Sequence, residues 1–231
     1  MHPQDHTRLQ GQCVKKNLSV FFDEVRHNPF DGKLTARQVS GMEFILEQWN
    51  VTGFTNLQWL AYALATAFHE TAFTMQPIRE YGRGKGRKYG RKDPQTGQAY
   101  YGRGYVQLTW KFNYEKAGQA LGIDFVRKPD LVMEPDNAAF IMFQGMKDGW
   151  FTGKGFDDYL NGNQRDYWNA RRIINGTDKA GKIADYAIRF EAALHASYEA
   201  PQQPVPEPNI TATQTHWLVR LALALWKVFR S

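Results

Sequence analysis

Two carboxylates in contrasting surroundings are the residues of this chain best suited to chemistry. Glu70 closes an apolar run inside His69-Glu70-Thr71, flanked by Phe68, Ala72 and Phe73. Glu80 follows ten residues later among Arg79, Arg83, Lys85, Arg87 and Lys88. Apolar neighbours disfavour a charged carboxyl, so Glu70 is expected to hold its proton. Neighbouring cations favour the charged form, so Glu80 is expected to be ionised; a plain salt bridge to Arg79 or Arg83 is the alternative. A protonated acid facing a base that can activate water is the pair needed to cleave an acetal linkage between sugars. A third run, from Tyr100 to Trp110, sets aromatic rings beside Arg103, Gln107 and Thr109. It reads either as a saccharide-contacting surface or as aromatic core.

The elements that must position these groups are mainly helical. Thr35 with Gln38 forms a capping box ahead of Val39, Met42, Leu46 and Trp49, which recur at helical spacing. Gly53 interrupts, and Thr55 or Asn56 can cap a helix over 57–75 with a spine of Leu57, Leu64, Phe68 and Met75. Glu70 lies thirteen residues past Leu57, about 140° from that spine and toward Ala63, Thr66 and Ala67. Small residues there leave room for a cleft floor. Further helices are expected from a cap at Asn113 to Gly122, from Pro135 to about Asp148, over 163–175 closed by Gly176, and onward from a cap at Asp178 through Ile183, Ala187, Phe190, Leu194 and Ser197. A small β-hairpin near 82–108 is the one strand signal.

At 231 residues, 42% hydrophobic and 23% charged, the chain suits one soluble domain, or two lobes sharing a cleft, followed by a tail. A single cysteine, Cys13, excludes an intramolecular disulfide, and no Cys/His cluster has metal-ligand spacing, so no metal and no cofactor are expected. His69-Glu70 does not open a zinc-protease motif, because position 73 is Phe. The run Gly82 to Lys88 lacks P-loop order. It reads as a solvated loop, as a basic flap over the cleft gripping an anionic polymer, or as an RNA-binding arm, the last making nucleic acid an unfavoured partner. A net charge of +6 points to acidic partner surfaces.

The domain is expected to occupy 1–199. Pro201, Pro204, Pro206 and Pro208 mark 200–215 as an extended linker. The segment 216–231 reads as a basic amphipathic helix with Arg220 and Lys227 on one face, too short to span a bilayer and suited to lying on an anionic membrane or docking on the domain. Met1 to Asp5 lack the apolar stretch of a secretory signal. Synthesis in the cytoplasm, with action on a cell wall after the membrane is breached, is the matching expectation.

The ordered set His69-Glu70-Thr71, then Tyr100-Tyr101-Gly102-Arg103-Gly104-x-x-Gln107-Leu108-Thr109-Trp110-x-x-Asn113-Tyr114, then Arg172-Ile173-Ile174-Asn175-Gly176 resembles glycoside hydrolase family 19 over roughly residues 55–198. That family joins plant-type chitinases with phage and bacterial endolysins on a lysozyme-like fold. The resemblance implies a bilobed helical domain with a catalytic cleft, Glu70 as general acid, and Thr109 as the hydroxyl that positions the attacking water. It implies sugar-contacting roles for Gln107, Asn113 and Asn175, with His69, Tyr101, Arg103, Trp110 and Arg172 completing the substrate surface. Glu80 falls where the endolysin branch has its base. Family members invert at the anomeric carbon, which sets the two carboxyls about 6.5–9.5 Å apart. With the basic chain and its tail, this favours a monomeric endolysin cleaving β-1,4 bonds of peptidoglycan. The alternatives are a chitinase, or a non-catalytic cationic protein that binds membrane or nucleic acid.

Overall fold

The structure, a computed structural model, describes residues 17–199. Cys13, the linker expected at 200–215 and the tail helix expected at 216–231 lie outside the described residues. The fold is mainly helical, with α1 Leu18–His27, α2 Ala36–Thr52, α3 Leu57–Glu70, α4 Lys111–Leu121, α5 Pro135–Lys147 and α6 Ala180–Glu199. Two strands, β1 Ile78–Arg79 and β2 Arg103–Gly104, pair antiparallel with Ile78 opposite Gly104 and Arg79 opposite Arg103.

The central element is α3. It is buried from Leu60 to Phe68 on every side, as a run of Ala and Leu with no charge allows. It packs chiefly on α6, which also carries α1, while α2 lies against α5. The α6 stripe of Ile183, Ala187, Phe190, Leu194 and Ser197 is fully buried, as its spacing predicts. Thr35 and Gln38 form the expected capping box, Asn56 accepts from the Gln58 N–H, Gly53 and Gly122 sit in left-handed conformations at helix ends, and Pro135 opens α5.

Four expectations need correction. The helix expected to reach residue 75 stops at Glu70. Thr71 Oγ1 donates to Ala67 O at 2.7 Å and accepts from Met75 N at 3.1 Å, so the side chain draws the backbone into a turn. Ala72, Phe73 and Met75 then adopt φ of 50°, 68° and 55°, a conformation costly for non-glycine residues. α2 braces that turn: Gln38 Nε2 donates to Phe73 O at 2.9 Å and Gln76 Nε2 to Arg37 O at 2.8 Å. Gly41 is required here, because a Cβ would lie 2.0 Å from Met75 O.

Asn113 does not cap α4. The helix begins at Lys111 behind Trp110, whose φ is 69°, and Asn113 Nδ2 instead donates to Thr109 O at 2.9 Å. Residues 163–175 form no α-helix but an irregular stretch with a 3-10 turn at Asn169–Ile173, because buried Tyr167, Ala170, Arg171 and Ile173 face different neighbours. The hairpin is only two residues long per strand and begins at Ile78, ahead of the expected segment, with a long loop between its strands.

Candidate active site

Glu70 ends α3 beside a cavity of about 630 Å³. Glu80, Gln107, Thr109, Trp110, Asn113 and Asn175 line the same cavity, so seven of the eleven sequence-derived site residues converge. Tyr89, Gly102, Phe112, Phe151, Thr152 and Ile174 complete much of the wall.

The two carboxylates are held by different partners. Arg171 Nη1 donates to Glu70 Oε1 at 2.7 Å, with Arg171 side chain 5% and Glu70 16% exposed. Arg171 Nε donates to Asp178 O at 3.1 Å, which fixes the guanidinium plane. No described group hydrogen-bonds Glu70 Oε2. The apolar surroundings read from the flanks of Glu70 are thus corrected: a buried guanidinium faces it across 101 residues of sequence.

Glu80 pairs with neither Arg79 nor Arg83 among the described residues. Arg79 is drawn to Asp130 at 3.0 Å. Glu80 accepts from Tyr89 Oη on Oε1 and from Gly102 N on Oε2, both at 3.1 Å, and its own N–H donates to Gly102 O at 2.8 Å. The β1–β2 pairing therefore sets the position of Glu80, and Gln107 secures that pairing by donating Nε2 to Ile78 O and Gly104 O at 3.1 and 3.2 Å. Its amide donor is committed to the fold, which leaves Oε1 as its polar contribution to the cavity. Burial, followed by the bond to Glu80, holds the Tyr89 hydroxyl above its usual range.

Asn113 is buried, and its Oδ1 has no partner among the described residues. A buried unpaired acceptor is uncommon in native proteins. Trp110 and Phe112 are 41% and 58% exposed and stack at 6.5 Å, with Tyr89 edge-on to Trp110 at 5.6 Å. These rings give the cavity an aromatic rim.

Four expected site residues do not line the cavity. Arg103 is 3% exposed and locked in the fold: Nε donates to Asp130 at 2.8 Å, and Nη1 donates to Ala99 O, Tyr101 O and Tyr114 Oη. Tyr101 packs over that guanidinium at 3.7 Å. Arg172 is exposed and donates to Asn169 Oδ1; its neighbour Arg171 reaches Glu70 in its place. His69, next to Glu70 at the end of α3, is partly buried, with Nδ1 unpartnered among the described residues. The sequence reading also missed Tyr89, whose only signal was its place inside the basic run near Glu80.

Burial above all pushes the His69 imidazole below its ordinary 6.5; Glu70 opposes this, and Arg171 and Lys182 reinforce it. The unfolded chain therefore takes up this proton more readily than the folded one. The stability associated with neutral His69 is present above about pH 6.5 and is lost as pH falls below it. Thermal melts at about pH 7.5 and about pH 5 should show a smaller acid-side drop in Tm for His69→Gln than for the unaltered chain. Equal drops would contradict this linkage.

The family described as Chitinase class I (Glyco_hydro_19) matches residues 66–158, which carry both glutamates and the Tyr100–Asn113 run. The chain is 48% identical over 115 residues to an endochitinase of Arabidopsis thaliana, covering 50% of this chain and 40% of that protein. It is 42% identical over 102 residues to Chitinase 11 of Oryza sativa subsp. japonica, covering 36% and 38%. The chain thus spans about two fifths of the length of these curated relatives. Chitinase C from Streptomyces griseus shares the fold with a TM-score of 0.56 at 24% identity, over 83% of this chain and 80% of that one. A bacterial family 19 chitinase aligns with a TM-score of 0.51 at 26% identity, over 78% and 94%. Residues 66–158 thus match the model of glycoside hydrolase family 19, and the described helices share a fold with enzymes of that family.

Proposed function

We propose that the protein hydrolyses β-1,4 bonds in a polymer of N-acetylated amino sugars by inverting acid/base catalysis. The observation that carries this reading is that Glu70 and Glu80 line one cavity with Thr109 while each is held by its own partners. Glu70 Oε2 takes up a proton as the substrate enters and passes it to the glycosidic oxygen, and the leaving sugar departs with that oxygen as a hydroxyl. Arg171 remains on Oε1 and stabilises the carboxylate that results. Glu80 keeps lone pairs beyond its two hydrogen bonds and takes a proton from a water placed by the Thr109 hydroxyl. That water attacks the anomeric carbon from the face opposite the leaving group. The N–H of an acetamido substituent is the kind of donor that satisfies Asn113 Oδ1, and a pyranose ring can rest on Trp110.

The names of the curated relatives, chitinases and endochitinases, support chitin-type chains as the first substrate. A second reading, endolysin-type cleavage of peptidoglycan, is favoured by the charge of +6, because peptidoglycan is anionic and chitin is neutral. Mass spectrometry of products from an N-acetylglucosamine hexamer and from purified peptidoglycan tests both readings. Shorter oligomers with new N-acetylglucosamine reducing ends support the first, and muropeptides with new reducing ends support the second. No new reducing ends from either polymer would overturn the hydrolase reading.

A further inference from the structure

We propose that the segment 83–92 is a fixed cationic rim that docks the cleft onto an anionic polymer bearing carboxylate or phosphate groups. Arg83, Lys85, Arg87, Lys88, Arg91 and Lys92 are all exposed, and none forms a salt bridge among the described residues. The nearby acid Asp93 is already engaged by Lys111 at 3.1 Å. Six like charges are thus held together without an ion-pair partner among the described residues, an arrangement that repels itself and attracts polyanions.

The segment is folded rather than loose. Arg83 N donates to Glu80 O, Lys85 N to Gly82 O and Arg87 N to Gly84 O, each at 2.9 Å, and Gly90 N donates to Arg87 O at 3.2 Å. Gly84 and Gly90 pinch it shut: a Cβ on Gly84 would lie 2.5 Å from Gly90 Cα, and one on Gly90 would lie 2.0 Å from Gly84 O. No larger residue fits either position, so the alternation of glycine with cations serves a built turn. Tyr100 N donates to Tyr89 O at 3.1 Å and ties the turn to the cavity wall.

The rim runs directly into the candidate active site. Tyr89, within the cationic run, lines the main cavity and donates to Glu80. A second depression of about 360 Å³, lined in part by Tyr81 and Arg83, shares Glu80 with it. A glycan strand in the cavity would bring its acidic substituents, or an attached acidic polymer, onto these cations. Single-stranded nucleic acid is the rival polyanion, because bases can stack on the exposed rings of Tyr81, Trp110 and Phe112.

The proposal rests on the peptidoglycan reading for the polymer's identity, and its test reads binding in place of cleavage. The full chain with Glu70→Gln is sedimented with phosphate-polymer-bearing bacterial walls, with walls stripped of that polymer, and with chitin. Adding Arg83→Gln, Lys85→Gln, Arg87→Gln and Lys88→Gln together should weaken wall binding about tenfold at low salt and leave chitin binding unchanged. Binding of the parent to walls should also fall steeply from about 0.05 M to about 0.5 M sodium chloride. Arg83→Lys with Arg87→Lys, which keeps the charge, should bind as the parent does. Loss of the effect on stripped walls assigns phosphate as the ligand group, and its persistence assigns peptide carboxylates; both support the proposal. Unchanged or salt-insensitive wall binding would overturn it, as would equal losses on walls and chitin. Competition by a single-stranded oligonucleotide at concentrations as low as those of the wall polymer would assign the rim to nucleic acid and overturn it too. Wall binding with these features but no cleavage by the unaltered chain would sink the hydrolase reading alone.

Discussion

Glu70→Gln should lower kcat on an N-acetylglucosamine oligomer by about 10²–10⁴-fold, the range that a positioned proton donor contributes. The substitution keeps the shape of the side chain and an oxygen able to accept from Arg171, but it removes the proton that the leaving oxygen needs. KM should change little, because the cavity walls from Gln107 to Asn113 and at Asn175 are untouched. The buried Arg171 keeps a hydrogen bond and loses its counter-charge, which costs about 1–2 kcal/mol of stability. Circular dichroism should therefore show a folded helical protein with a modestly lower Tm. A folded variant with nearly full turnover would remove Glu70 from the chemistry.

Arg171→Met should do the reverse, damaging the fold as well as the activity. Its guanidinium is almost wholly buried and links Glu70 to the backbone at Asp178, joining the end of α3 to the start of α6. Removing one member of a buried pair costs about 3–5 kcal/mol, because the remaining charge is stranded. Glu70 keeps some access to the cavity, so the low end is expected, about 3 kcal/mol, with a fall in Tm of roughly 6–12 °C. Arg171→Lys restores the charge without the fork that reaches both Glu70 and Asp178 O, so its Tm and kcat should lie between those of Met and Arg. Calorimetry and kinetics on the three proteins check this ordering. A Met variant as stable and as active as the parent would show that the pair is incidental.

Signals confined to a few residues were legible in the sequence. The Thr35–Gln38 box, the Asn56 cap, Pro135 before α5 and the α6 stripe each state their structure within one or two helical turns. What was not legible depends on distant partners. Glu70 meets Arg171, 101 residues away, and Glu80 meets Gly102, 22 residues away, and no local pattern announces either contact. Arg103 has the residue type of a sugar ligand, but Asp130 and three oxygens from the 99–114 region claim it. Apolar spacing continues past Glu70 to Met75, yet the Thr71 hydroxyl and the bracing by Gln38 and Gln76 turn the chain away. In 163–175, buried side chains scattered between exposed ones mimic a helical stripe without forming a helix. Seven of the residues that the resemblance singled out line one cavity, and Arg171, one position before the expected Arg172, is the arginine that reaches Glu70.

The stereochemistry of the first product tests the central claim most directly. Proton NMR during the first turnovers on an N-acetylglucosamine hexamer reports the anomeric configuration at the new reducing end before mutarotation. With Glu70 as acid and Glu80 activating a water on the opposite face, the initial product is the α-anomer. An initial β-anomer would mean that configuration is retained, and would contradict the assignment of Glu80 as a base acting through water.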